Sequence, residues 1–400
     1  MQFIYNKNII INEIEERNYE NLKNIIFGAD DRTLEDVLIF NAIKDKASDI
    51  HLEPQKNCVY VRYRVNGTLV LVHKIDTNEY ITLASKLKLK ANMDITEKRR
   101  PQDGKIMIEY NGTKYDLRVS SIPVVYGEKL VIRILYCDNF DYKLEDLGFS
   151  EEQIKRIRKI IALNNGLVLI NGPTGSGKST TLFTMLKEID SKALNVTTLE
   201  DPVEIVMQNI NQMSLNNKLE IDFSTGLKSI LRQDPDVIMV GEIRDEETAN
   251  MAVRASITGH KVYSTIHCKS AREVYLRLEN MGIKSYLLSD ALVGIISQRL
   301  IKTLCDKCKT IDYENQVNEK ITYKKCGCKD CNYSGYGGRQ IVSAVYYLHE
   351  ENNKTIEELH EDNNYLSNKN MKLDLEKLLL QGKISNSDYL EFIEGERLNV

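Results

Sequence analysis

The stretch "GPTGSGKST", residues 172–180, decides the fold. It fits G-x-x-x-x-G-K-[ST], with Gly172, Gly177, Lys178 and Ser179 at the fixed positions. The apolar run "GLVLI" (166–170) precedes it and a helical pattern follows. That strand–loop–helix context gives the motif its physical meaning. Backbone N–H groups of such a loop and the helix amino end bind phosphate oxygens. Gly172, Pro173, Thr174, Gly175, Ser176, Gly177, Lys178, Ser179 and Thr180 are therefore expected to surround the phosphates of ATP. Lys178 is placed to neutralise the β and γ phosphates, and Ser179 to ligate Mg²⁺.

Downstream, short apolar or β-branched runs alternate with helical stretches. "NVTTL" (195–199) runs into Glu200-Asp201-Pro202, "DVIMV" (236–240) into Gly241-Glu242, and "KVYSTI" (261–266) into His267. This reads as an α/β fold with a parallel sheet covered on both faces. Ligands of such sheets bind at the carboxyl ends of the strands. Lys178, Glu200, Glu242 and His267 are thus expected to converge, with Glu242 polarising an attacking water and Ser179, Glu200 and Glu242 holding Mg²⁺. Each acid alone fits a helix cap, and His267 alone fits a satisfied histidine. Four strands ending in the same way favour a site.

Upstream, residues 1–30 read as a short arm and 31–140 as a small α+β domain. "TLEDVLIFNAIKDK" (33–46) has helical periodicity behind Thr33. "CVYVRYRVNGTLVLV" alternates with period two around Asn66-Gly67, a hairpin signal. "TLASKLKLKANMDI" is a basic amphipathic helix, and "YDLRVSSIPVVYGEKLVIRIL" alternates like paired strands. Residues 141–400 read as the nucleotide-binding domain, with helices over 340–400.

The 400 residues carry a net charge of −4, 42% hydrophobic and 28% charged residues, and no Trp. That balance argues against non-specific nucleic-acid binding. No apolar run approaches the roughly 18 residues of a membrane span. The first residues lack signal-peptide features. The expectation is a cytoplasmic protein that meets a membrane only through partners.

Of eight cysteines, Cys58 and Cys137 read as small buried hydrophobes. Five cluster between 305 and 331 in an element spanning 305–335. Cys305-x-x-Cys308 and Cys328-x-x-Cys331, about twenty residues apart, have the spacing of a tetrahedral Cys₄ zinc site. Cys326 is then spare. Four thiolates leave no open position, so the zinc is structural rather than catalytic.

At these motifs the chain resembles the secretion ATPases of type IV pilus assembly and type II secretion, the PilB/GspE family. "TLEDPVEI" (198–205) matches the family's aspartate box, and "LRQDPDVIMVGEIRDEETA" (231–249) its Walker B segment with Glu242 as catalytic acid. "ASITGHKVYSTIH" (255–267) matches its histidine box, with His260 and His267. "LVGIISQRLIKTLC" matches the stretch leading to the metal site, in which the resemblance puts "QRL" (298–300) on a helix. "ASDIHLEP" (47–54), "VRYRVNG" (61–67), "DITEKRRPQDGKI" (94–106) and "RVSSIPVVYGEKLVIRIL" (118–135) match in the first domain.

The resemblance implies a RecA-like P-loop NTPase core with an N-terminal PAS-like domain, assembled as a homo-hexamer. It implies that Arg118 and Arg133 reach the γ-phosphate of a neighbouring subunit, as arginine fingers do. It implies a motor at the inner face of the cytoplasmic membrane, driving an inner-membrane platform protein and docked by an adaptor. The chain departs from the family at Asn66, where Asp is usual, at Cys268, where Thr is common, and near Ala344, where a helix-starting glutamate is expected. A competence pseudopilus motor, a pilus retraction motor, a nucleic-acid motor and a nucleotide-dependent scaffold are the alternatives. Retraction members typically lack the four-cysteine element, so its presence favours assembly.

Overall fold

A computed structural model describes residues 33–136, 142–215, 221–317, 320–331, 333–348 and 369–395. The expected arm, Cys137 and the stretch 349–368 lie outside the described residues. The chain divides into two compact units, Met1–Phe140 and Asp141–Val400.

The first unit contains α1 (Leu34–Lys44), β1 (Ala47–Pro54), β2 (Val59–Val65), β3 (Thr68–Ile75), α2 (Thr77–Lys90), β4 (Gln102–Tyr110), β5 (Thr113–Val124) and β6 (Gly127–Tyr136). The strands form one six-stranded sheet in the order β3-β2-β1-β6-β5-β4. Asn66 and Gly67 both have positive φ (48° and 78°), the I′ geometry that a two-residue hairpin needs. Asn111-Gly112 repeats it between β4 and β5 (52° and 76°). Thr33 starts α1, but its hydroxyl donates to Asp36 Oδ2 (2.6 Å) instead of accepting a helix N–H.

Period-two alternation gives this sheet two unlike faces. Ile50, Leu52, Val61, Tyr63, Leu117, Val119, Leu130 and Ile132 are buried with Leu38 and Ile39 of α1 and Leu83 and Leu87 of α2. Residues of opposite parity make a charged row across five strands. By register it runs Arg64–Asp49–Arg133–Arg118–Lys105.

The second unit contains α3 (Glu151–Ala162), β7 (Gly166–Asn171), α4 (Lys178–Lys187), β8 (Val196–Glu200), β9 (Asn211–Ser214), α5 (Phe223–Ile230), β10 (Val237–Val240), α6 (Glu246–Ile257) and β11 (Lys261–Ile266). It continues through α7 (Ala271–Asn280), α8 (Ser285–Ala291), β12 (Leu292–Leu304), β13 (Thr310–Val317), β14 (Lys320–Lys324), β15 (Tyr336–Tyr347), α9 (Lys369–Leu380) and α10 (Asn386–Gly395). Seven strands lie in the order β15-β12-β7-β11-β10-β8-β9. All neighbours are parallel except β12 and β15. Residues of α5, α6, α7 and α8 share one core with the sheet, including Leu227, Ala252, Val274, Leu288, Leu167 and Ile238. On the remaining strands, α4 packs against β7 and β11, and α3 against β15.

Two expectations are corrected here. "QRL" (298–300), expected on a helix before the cysteines, lies inside the long strand β12, residues 292–304. Its residues from Leu292 to Leu300 are almost all buried, so no polar alternation marks it as a strand. The expected helices over 340–400 begin too early, because residues 336–347 form β15, with Ala344 fully buried inside it. The described helices after it are α9 and α10.

Candidate nucleotide and metal sites

The phosphate-binding loop joins β7 to α4 and is shaped by its glycines. Gly175 and Gly177 have φ of +78° and +86°, a region costly for residues with a Cβ. Pro173, Thr174, Gly175 and Ser179 are exposed while Ser176 and Lys178 are buried, so one side of the loop faces solvent. Lys178 is the first residue of α4, and its Nζ donates to the carbonyls of Gly172 (2.9 Å) and Pro173 (3.0 Å). Burial pulls its pKa down to about 8, Glu242 opposes that shift, and Arg299 adds to it. A desolvated ammonium bound only by carbonyls is poised to exchange them for phosphate oxygens.

The neighbouring strand ends supply the acids. Glu242 follows β10, with Gly241 N–H donating to Leu199 O (2.8 Å) in β8. Arg244 Nη2 donates to Glu242 Oε1, and His267 Nε2 lies 3.5 Å from Glu242 Oε2. Burial lowers the His267 pKa, Lys178 adds to this, and Glu242 opposes it. The balance favours the neutral imidazole. Lys178, Glu242 and His267 thus form one electrostatically connected group.

Glu200 ends β8 but turns to other partners: Thr198 Oγ1 (2.6 Å) and Gln212 Nε2 (3.0 Å) donate to its Oε1. Burial raises its pKa against those hydrogen bonds. His260 lies at the opposite end of β11, its Nδ1 3.0 Å from Ala255 O, away from this group.

Several contributors were not singled out from the sequence. Arg244 is one. Gln298 and Arg299 of β12 are others, both buried against the loops at the strand ends. No sequence signal separates Gln298 and Arg299 from ordinary strand residues, because their partners Ser176 and Lys269 lie far away in the chain.

Among the described residues, one cluster of metal-ligating side chains stands out: Cys305, Cys308, Cys328 and Cys331, with sulfurs all within 4.8 Å of one another. Individual Sγ separations are 4.0 Å (Cys305–Cys328), 3.8 Å (Cys308–Cys331) and 3.8 Å (Cys328–Cys331). Four sulfurs about 2.3 Å from one ion in tetrahedral geometry would be about 3.8 Å apart. The donor set therefore fits a closed metal site. Cys326 is exposed and outside the cluster. Desolvation works against the Cys331 thiolate, but N–H groups of Cys328 and Gly335 outweigh it and bring the pKa to about 7. The element is anchored to the last helices: Lys309 Nζ donates to Gly382 O (3.0 Å), and Tyr336 OH to Asp388 Oδ1 (2.7 Å).

In the first unit, Arg133 Nε donates to Asp49 Oδ1 (3.2 Å), and Arg64 Nε lies 3.7 Å from Asp49 Oδ2. Beside it, Nε and Nη2 of Arg118 are buried and find no hydrogen-bond partner among the described residues. Unpaired buried guanidinium donors are costly, and an incoming anion would satisfy them.

No helix among the described residues is long and apolar enough to cross a membrane. Residues 29–389 match the family described as "Type II/IV secretion system protein". The chain is 42% identical over 335 residues to type II secretion system protein E of Dickeya dadantii, covering 81% of this chain and 67% of that protein. It is 39% identical over 320 residues to the type IV pilus assembly ATPase TfpB of Acinetobacter baylyi, covering 76% of this chain and 54% of that protein. The chain thus spans between about half and two thirds of these relatives' length. Among solved structures, the pilus retraction motor PilT with bound ADP matches with a TM-score of 0.60 and 25% identity, covering 90% of this chain and 97% of that one.

Proposed function

For this chain, which belongs to the type II/IV secretion system protein family, a family of ATPases, we propose a motor that hydrolyses ATP to power assembly of a type IV pilus or pseudopilus. One observation carries the reading: Lys178 of a complete phosphate-binding loop is coupled to Glu242 and His267 at neighbouring strand ends. In this reading residues 172–180 hold the ATP phosphates, and Lys178 leaves the Gly172 and Pro173 carbonyls for the β and γ oxygens. Glu242, released from Arg244 or His267, orients the attacking water. Ser179, Glu200 and Glu242 are the side chains that would hold Mg²⁺, which neutralises phosphate charge when bound.

Arg118 and Arg133 act on the nucleotide of a neighbouring subunit in a homo-hexamer. The first unit is then the PAS-like partner of a RecA-like second unit. Support comes from the unpartnered donors of Arg118 and from Asp49, which grips Arg133 through Nε and leaves its terminal nitrogens for another acceptor. The Cys₄ cluster holds a structural zinc. It also favours assembly over retraction, since retraction motors typically lack it. The motor works on the cytoplasmic side of the inner membrane against a platform protein, without binding nucleic acid itself. A deletion strain tests this reading: it should lose its pili or pseudopili, whereas a hyperpiliated strain would identify a retraction motor.

A further inference from the structure

Three consecutive residues of β12 hold the end of β7 and two loops at the candidate site. Ser297 Oγ donates to Asn171 Oδ1 (2.6 Å) at the end of β7. Gln298 Nε2 donates to Ser176 O (2.8 Å) inside the phosphate-binding loop. Arg299 Nη1 donates to the Gln298 carbonyl (2.9 Å), and its Nη2 to Lys269 O (2.6 Å), just past His267. Gln298 is fully buried. The strand and the loop run in backbone contact, because a Cβ on Gly172 would stand 2.5 Å from Gln298 O.

The Ser176–Gly177 peptide is trans, so the Ser176 carbonyl and the Gly177 N–H point to opposite sides. Glycines at 175 and 177 make the backbone on both sides of Ser176 permissive. Such a peptide flips at little cost unless something grips it. Flipped, it would offer a carbonyl oxygen to the phosphates instead of an N–H.

We propose that Gln298 is a positioning residue for nucleotide: its side-chain amide holds the Ser176 carbonyl towards β12 and so turns the Gly177 N–H to the phosphate side. This rests on the reading that residues 172–180 bind ATP. Arg299 supports the clamp by fixing the Gln298 backbone. The clamp sets affinity for the phosphate chain and takes no part in bond breaking.

The test uses the full chain, with a fluorescent N-methylanthraniloyl ADP as probe. Gln298→Met keeps the side chain's length without its donor. Gln298→Glu sets carboxylate oxygens against the Ser176 carbonyl. The Kd should rise about tenfold in the Met variant, the scale of one hydrogen bond, and further in the Glu variant. The melting temperature of the nucleotide-free Met variant should stay within about 3 °C of wild type, under about 1 kcal/mol in a domain this size. kcat at saturating ATP should change less than Kd. Wild-type affinity in both variants overturns the clamp, and so does an affinity loss matched by a larger fall in melting temperature. A wild-type protein that does not bind the probe refutes the nucleotide-site reading itself.

Discussion

His267 Nε2 stands 3.5 Å from Glu242 Oε2, which joins the carboxyl ends of β11 and β10 across the candidate site. Burial and the nearby Lys178 favour the neutral imidazole against the pull of Glu242, which keeps this contact from being a strong ion pair. In the proposed mechanism its role is to orient Glu242. His267→Gln, which keeps a polar end, should cost about tenfold in kcat and leave ATP affinity unchanged, since the group lost aids proton transfer only indirectly. Steady-state kinetics beside nucleotide titration would separate the two. A loss confined to affinity would make His267 a binding residue instead.

Burial pulls the Lys178 pKa down to about 8. Phosphate oxygens favour the charged ammonium and should raise that pKa well above 9. ATP binding at pH 8 should therefore take up about half a proton per site, and almost none at pH 6.5, where the lysine is already charged. Calorimetric titration in buffers of different ionisation enthalpy would read this directly. Lys178→Arg, charged throughout, should show no such uptake. The same shift gives a stability prediction. The unfolded lysine holds its proton up to about pH 10.4, so between pH 8 and that value the unfolded chain binds more protons and nucleotide-free stability rises with pH. Lys178→Met should flatten that rise.

Metal content discriminates among the cysteines. Purified protein should carry about one zinc per chain, lost in Cys328→Ser and retained in Cys326→Ser. Loss of the metal should also loosen α10, because Tyr336, which directly follows the cysteine element, reaches Asp388. Increased hydrogen exchange over 386–395 would report it. Zinc loss in Cys326→Ser would refute the ligand assignment.

A buried ion pair in the first unit offers a stability test. Lys88 Nζ lies 2.8 Å from Glu128 Oε1, with both side chains nearly inaccessible. Lys88→Met leaves Glu128 buried and unpaired, and should destabilise the protein by about 3–5 kcal/mol. Adding Glu128→Leu should restore most of that loss, since an apolar pair of similar volume avoids the desolvation cost. A double variant no more stable than the single one would mean that the lost contacts matter more than the stranded charge. Lys88 Nζ also donates to Glu97 O (2.7 Å), so the double variant has that loss built in.

How far the fold was legible depended on how local its causes are. Residues 172–180 read clearly because one loop carries its own glycines, lysine and flanking strand. Asn66-Gly67 read clearly because two positive-φ positions in sequence have few other uses. β12 did not, because burial on both faces removes the alternation that identifies a strand, and its leucines and isoleucines also fit a helical repeat. β9 is four polar or half-buried residues, "NQMS", strand-like only because β8 lies beside it. Gln298 was invisible for a related reason: its partner Ser176 is 122 residues away. The grouping of Cys305, Cys308, Cys328 and Cys331 followed from spacing, but their link to α10 needed the packed structure.

In the proposed motor Glu242 orients the water that attacks ATP. Turnover of purified protein beside Glu242→Gln, with nucleotide affinity measured on both, tests this role. The prediction is a wild-type protein that hydrolyses ATP, and a variant that binds ATP as tightly but turns over at least about a hundredfold more slowly. Equal rates in the two proteins would remove Glu242 from that role.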